Sequence, residues 1–323
     1  MKKRRVPTVF TIMIAIALCG CGQKAEAVTE AGEYIDLSEK TGIEHVYDTA
    51  SDEKEIIELK EEQENEDKEK QTESLLDPDG TTLETRIRVP EGYERNPEPE
   101  GSFAEYLRAY PMHEDGYKVH YYDGGIKEYA AQAAVFDMHL GDRDLQQCAD
   151  SVIRMYAEYL RDNGRSDEIA FHFVSGFLCD YRTWLAGNKV SVAGNNVSWT
   201  ATAAREDTDE TFEAYLNTVF SYASTISLKK EAEAVSLKEI QAGDIFIHAG
   251  SPGHVVMVAD VCEKDGKKAF LLAQGYMPAQ DFYVLTNELH ADDPWYYEDE
   301  ITYPFITPEY VFSEECLMRP GYL

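Results

Sequence analysis

The chain has 323 residues, with 61 acidic against 30 basic side chains and a formal net charge of -31. A balance so acidic repels a phosphate backbone, so nucleic acid is excluded as an expected partner. The negative charge runs through both the charge-rich first third and the more apolar remainder, and by itself it names no substrate.

The N-terminus sets the compartment. Lys2, Lys3, Arg4 and Arg5 precede an apolar run from Val6 to Leu18. That run is too short for a comfortable membrane span and reads as the core of a signal peptide over residues 1–20. It ends in Leu18-Cys19-Gly20-Cys21, which resembles the lipobox of bacterial lipoproteins. The resemblance implies cleavage before Cys21 and diacylglycerol on its thiol. The expected partner is then the cell membrane, met through a lipid anchor on the extracytoplasmic face.

Residues 21–100 read as an acidic, disordered tether. The run "SDEKEIIELKEEQENEDKEKQTE" has no aromatic residue, and "RVPEGYERNPEPEG" adds prolines. Such composition buries too little apolar surface to offset the entropy of ordering. Residues 101–323 are dense in aromatic and apolar side chains and read as one folded domain.

Within that domain Ser102 and Glu105 form a capping-box pattern ahead of a short helix that Pro111 closes. "YKVHYYDG" and "AAVFDMH" read as strands. "DRDLQQCADSVIRMYAEYLRDNG" is the strongest helix, with Leu145, Cys148, Ala149, Val152, Tyr156, Tyr159 and Leu160 on one stripe. "IAFHFV" reads as a strand, "CDYRTWLAG" as a short helix, and "DETFEAYLNTVFSYAS" as a second amphipathic helix. Four strands follow: "GDIFIHA", "HVVMVADV", "KAFLLAQGY" and "DFYVLTN", with Asp265-Gly266 as a hairpin signal. Early helices on a late antiparallel sheet make an α+β domain.

A cysteine near the start of an amphipathic helix, followed much later by a Gly-His strand, resembles the papain-like cysteine hydrolases of bacterial cell walls, the NlpC and CHAP groups above all. That resemblance implies a papain-like fold. It assigns Cys148 as nucleophile, His254 as base and Gln274 as the residue that orients the histidine. It also implies amide hydrolysis, with peptidoglycan or another peptide as substrate and no cofactor or metal. The chemistry agrees: a helix N-terminus favours a thiolate, and an imidazole beside it moves the proton. Asp144 is positioned to cap the helix, and the Cys148 N–H, with Gln146 or Gln147, to hold an oxyanion. Gly253 is expected to leave room for substrate backbone.

Several features pull the other way. Cys148 also fits as a small apolar core residue, and Asp144 and Asp150 oppose a thiolate. With a tight turn at Asp265-Gly266, paired positions sum to 531. His254 then faces Met277, and Gln274 lies on the opposite face; a loop one residue longer or shorter restores it. Cys148, Cys179, Cys262 and Cys316 also suffice for two disulfides. His120, His139, His172, His248 and His290 lack metal-ligand spacing. Trp184, Trp199, Trp295, Tyr296 and Tyr297 fit either a ligand groove or core. The alternative function is a non-catalytic lipoprotein that uses the same fold to bind a peptide, glycan or protein.

A second resemblance rests on "SFAEYLRAYP", "DLQQCADSVIRMYAEYL", "SPGHVVMVADV" and "FLLAQGYMPAQDFYVL". These segments are similar to the bacterial lipoprotein family called domain of unknown function 4846, from about Gly101 to the end. That likeness implies a fold and an exported setting and carries no reaction with it.

Overall fold

The structure is a computed structural model that describes residues 26–28, 34–36, 74–194 and 196–322. The signal peptide, Cys21 and most of the expected tether lie outside the described residues. The chain divides into two units, Met1–Thr72 and Glu73–Leu323. In the first, strands β1 (Glu26–Val28) and β2 (Tyr34–Asp36) pair antiparallel. Among the described residues no helix is long and apolar enough to cross a membrane.

The second unit begins earlier than the composition suggests. Helix α1 (Leu83–Arg86) is capped by Thr82, whose hydroxyl accepts the Thr85 N–H, and Leu83 and Ile87 are fully buried. Strand β3 (Glu94–Arg95) joins the central sheet. Arg95 donates to the buried Asp260 carboxylate at 2.6 Å and to the Ile87 carbonyl. The expectation of a tether extending to residue 100 is therefore corrected for residues 74–95, which are anchored to the domain, while residues 96–100 are exposed. Two apolar residues and a paired arginine anchor a stretch whose average composition is that of a spacer.

Helix α2 (Phe103–Ala109) starts where Ser102 accepts the Glu105 N–H at 3.2 Å. Strand β4 (Gln132–Val135) follows, but "YKVHYYDG" contributes only isolated bridges. Helix α3 (Cys148–Asp162) is buried nearly all round, taking Asp150, Ser151 and Arg154 inside along with its apolar stripe. Strands β5 (Ala170–His172) and β6 (Leu178–Asp180) form a small hairpin that leads into helix α4 (Tyr181–Leu185). Strands β7 (Asn188–Ala193) and β8 (Asn196–Ala201) form a second hairpin that the sequence reading missed, although Lys189–Val192 and Asn196–Thr200 alternate polar and apolar residues. Helix α5 (Asp209–Phe220) buries Phe212, Tyr215, Leu216, Val219 and Phe220 as expected, and α6 (Thr225–Lys230) follows it.

The remaining strands build the core: β9 (Ala232–Ala234), β10 (Ile245–His248), β11 (His254–Lys264), β12 (Lys267–Gln274), β13 (Tyr283–Leu285), β14 (Tyr296–Tyr297), β15 (Phe305–Ile306), β16 (Val311–Phe312) and β17 (Leu317–Pro320). The central sheet runs β4-β13-β12-β11-β10-β17-β9, with β14 beside β12 and β3 beside β11. Every pair in it is antiparallel. The domain is thus α+β with a large antiparallel sheet.

Both faces of that sheet are covered, which is why β11 and β12 read as near-continuous apolar runs. On one face Val255, Met257, Leu271 and Ala273 pack with Val152, Met155 and Tyr156 of α3. On the other, Val256, Val258, Phe270 and Leu272 pack with Phe305, Phe312 and Tyr296. Trp295 and Tyr296 are buried in the core, Trp184 is nearly so, and Trp199 and Tyr297 pack against it.

Candidate active site

The site lies where three chain segments converge: the first turn of α3, the start of β11 and the end of β12. Cys148, Gln147, Asp144 and Asp150 line a cavity of about 320 Å³ together with Ser224, Thr225, Gly253, His254, Tyr276 and Tyr310.

His254 is the first residue of β11 and is almost wholly buried. The glycine before it does not serve the role expected from the sequence. A Cβ on Gly253 would fall on the Thr225 hydroxyl and lie 2.8 Å from the Gly250 backbone nitrogen. The space is taken by protein, so Gly253 lets the β10–β11 turn close against α6 rather than leaving room for substrate.

Register decides the place of Gln274. Asp265 and Gly266 both have positive φ, 51° and 77°, as a tight two-residue hairpin turn requires. Near the turn the pairs do sum to 531, Lys264 with Lys267 and Asp260 with Leu271. A β-bulge between Val258 and Asp260 then shifts the register by one, pairing Val258 with Leu272 and Met257 with Ala273. Beyond the bulge Gln274 therefore shares a face with His254. Its Oε1 lies 2.7 Å from His254 Nε2. The alternative of a longer or shorter loop is replaced by an extra residue inside the strand.

Gln274 is itself fully buried. Its Nε2 donates to the Tyr283 hydroxyl at 2.9 Å and to Glu309 Oε2 at 3.0 Å. Tyr276 and Tyr310 flank the imidazole with ring centroids 4.7 and 4.8 Å away. Glu309 and Tyr310 sit in the turn between β15 and β16, where Thr307 and Tyr310 bond to each other. Sequence reasoning missed both. "TPEY" has the look of an ordinary turn, and nothing local says that it folds over a histidine 56 residues earlier.

Cys148 is the first residue of α3, directly after the N-cap Gln147. Asp144 does not cap the helix. Its carboxylate accepts from the Ala279 N–H at 2.7 Å and the Gln147 side chain at 3.1 Å. The capping role falls to Asp150, which accepts the Gln147 N–H at 3.1 Å. Gln146 is turned inward: Arg154 donates to its Oε1 at 2.6 Å, so it is not available to an oxyanion. Gln147 remains on the cavity wall. Cys148, Cys179, Cys262 and Cys316 are all free thiols, and the latter three are buried.

Electrostatics corrects a further expectation. Burial, and then the Asp150 carboxylate, push the Cys148 thiol up to about 11. The N–H groups of Val255, Ala149 and Cys148 itself favour the thiolate but do not outweigh burial. The Val255 N–H, one residue past His254, is the foremost of these groups, which brings the thiol near the strand that carries the imidazole. Burial also pulls His254 down to about 4, against the opposing effect of its bond to Gln274. At neutral pH the cavity therefore holds a neutral thiol and a neutral imidazole. Asp150 is pushed up to about 8 by burial, and its Oδ1 has no partner. At neutral pH it mostly holds a proton, so its own share of the charge that the sequence sets against a thiolate is largely absent.

With the geometry in hand, comparison with known proteins gives one match. A family model described as Domain of unknown function (4846) matches residues 83–319. The chain belongs to this family. No curated protein and no solved structure matches it. The family match begins at the first residue of α1, in keeping with the packed segment ahead of residue 101. It also takes in Cys148, His254, Gln274 and Glu309, so the whole constellation lies within the 4846 domain.

Proposed function

We propose that this member of the 4846 family is an exported, lipid-anchored thiol hydrolase of amide bonds with a papain-like arrangement, acting on cell-wall peptides. The observation that carries the reading is the convergence of Cys148 and His254 on one cavity, with Gln274 hydrogen-bonded to the far side of the imidazole. A helix-borne cysteine set against an antiparallel sheet that carries first the histidine and then its polar partner supports the papain-like comparison. The lipobox-like Leu18-Cys19-Gly20-Cys21 supports the exported setting, with Cys21 as the lipid-bearing residue.

The chemistry follows from a neutral resting pair. The Cys148 sulfur attacks the amide carbonyl carbon as His254 takes the thiol proton. Since Nε2 bonds Gln274, the accepting nitrogen is Nδ1. The C–N bond then breaks, and the imidazolium returns the proton to the leaving amine. Water attacks the resulting thioester with His254 again as base, releasing a carboxylic acid and restoring the thiol. N–H groups at the start of α3, and the hydrogen of the Gln147 amide not given to Asp144, are the donors this cavity offers a developing oxyanion. The test is hydrolysis of purified peptidoglycan: new free amino groups appear with the wild-type chain and not with Cys148→Ala. No release from any peptide linkage would count against the reading.

A second reading has one observation in its favour. A thiol held at about 11 is a poor nucleophile until its proton is removed. A non-catalytic lipoprotein would use the same cavity to hold a peptide, glycan or protein partner. Peptidoglycan fragments that bind without being cleaved, and bind equally well to Cys148→Ala, would support it.

A further inference from the structure

His254 can serve as a base toward Cys148 only in one tautomer, with hydrogen on Nε2 and a lone pair on Nδ1. Gln274 cannot impose that tautomer unaided. A free amide offers its oxygen or its NH₂ group to the imidazole with similar ease, and each choice selects the opposite tautomer. Something must fix which way the amide points.

We propose that Glu309 is a positioning residue: by accepting the Gln274 NH₂ group it turns the amide oxygen toward His254 and so selects the Nε2–H tautomer. The proposal extends the thiol-hydrolase reading, and its catalytic consequence rests on that reading.

The argument is one of donors and acceptors. A carboxylate only accepts, so the group that Gln274 turns toward Glu309 Oε2, 3.0 Å away, must be its NH₂. The second amide hydrogen meets the Tyr283 hydroxyl at 2.9 Å. That hydroxyl has given its own proton to Glu309 Oε2, also at 2.9 Å, so it too can only accept here. With both hydrogens committed, Oε1 is left facing His254 Nε2 at 2.7 Å, and the ring nitrogen must supply the hydrogen.

Glu309 is in turn held in place. Lys127 Nζ donates to its two oxygens at 2.9 and 2.6 Å and to the Tyr283 hydroxyl at 2.9 Å. The Ala131 N–H donates to Oε1 at 3.3 Å. Lys127 also lies over the Tyr276 ring, 5.2 Å from its centroid, and Tyr276 lines the cavity. Lys127 and Glu309 are both largely buried, so the pair is shielded from solvent screening. Residues from four separate segments (127, 274, 283 and 309) thus converge behind the histidine. A well-packed core would not need this much polarity, and a buried polar network persists only where its members satisfy one another.

The test reads the tautomer itself. Long-range ¹H–¹⁵N correlation spectra of the full chain with ¹⁵N-labelled histidine report it, His254 being assigned through its loss in His254→Ala. The wild type is expected to show the Nε2–H form alone at pH 7. In Glu309→Ala and in the isosteric Glu309→Gln the amide loses its fixed acceptor, and the ratio of tautomers should fall about tenfold, as expected for a lost charge-assisted hydrogen bond. Cys148 alkylation should fall with it. Glu309→Gln keeps the turn intact and carries the test if Glu309→Ala fails to fold. Variants that melt earlier yet keep a pure Nε2–H His254 and the wild-type pH profile of alkylation would reduce Glu309 to a structural role and overturn the proposal. If the tautomer shifts while no variant, His254→Ala included, alters alkylation, the positioning role stands and the hydrolase reading falls.

Discussion

A Cβ on Gly275 would stand 2.6 Å from the Oγ of Ser151 and 3.3 Å from the carbonyl oxygen of Gln147. The chain leaving β12 therefore runs directly against the first turn of α3. Gly275→Ala must displace the Ser151 side chain and crowd the Gln147 carbonyl. Overpacking of this kind costs about 1–3 kcal/mol, to be read from urea unfolding. Alkylation of Cys148 should slow as well. A variant unchanged in both respects would mean that the contact is slack.

Asp150 gives a pH signature. Burial raises its carboxyl from 3.8 to about 8. Between those values the folded chain keeps a proton that the unfolded chain has released, so this group erodes stability as pH rises. Asp150→Asn removes the effect. Relative to wild type the variant should gain stability by up to about 1.4 kcal/mol per pH unit across the window. Urea unfolding at pH 5, 6.5 and 8 measures it, and a difference constant with pH would contradict the buried, protonated carboxyl.

His254 acts in the opposite direction. Its folded value of about 4 lies below the ordinary 6.5, so on acidification the unfolded chain takes up a proton first. Stability from this group is complete above pH 6.5 and is lost as pH falls toward 4. His254→Ala loses packing at every pH and no longer has this slope. The gap between wild type and variant should narrow on acidification, and a gap independent of pH from 4 to 7 would place the imidazole in contact with water.

Much of this was legible in the sequence, and what was not has physical causes. Helices α2, α4 and α5 follow from caps and periodicity, and β10 to β13 from apolar runs broken by turn residues. Gln274 could be named but not placed. The bulge that brings it to the His254 face is a single extra residue beside Asp260 in an otherwise apolar run, and one acidic residue does not by itself mark a bulge. Glu309 could not be named at all, because its role arises from Lys127, Gln274 and Tyr283 meeting in three dimensions. The segment 74–95 was misread because average composition conceals a few well-placed residues.

That segment yields a further expectation. Asp260, fully buried, is held by Arg95 Nε at 2.6 Å and Arg108 Nε at 2.8 Å. Removing one side of a buried ion pair costs about 3–5 kcal/mol, so Asp260→Ala should be severely destabilised. A chain beginning at residue 101 lacks Arg95, Leu83 and Ile87 and should unfold at a much lower temperature than one beginning at residue 74. Equal melting of the two would mean that the segment is only draped on the surface.

The pairing of Cys148 with His254 is tested most directly by alkylation of the full chain with iodoacetamide from pH 5 to 9, following the Cys148 peptide by mass spectrometry. With a thiol at about 11 and a base at about 4, the wild-type rate should climb steadily with pH and show no plateau on the acid side. His254→Ala should lower it about 100-fold at neutral pH, the scale of a lost general base. A Cys148 that reacts at the same rate with and without His254 would contradict the pair and leave the cavity as a binding site.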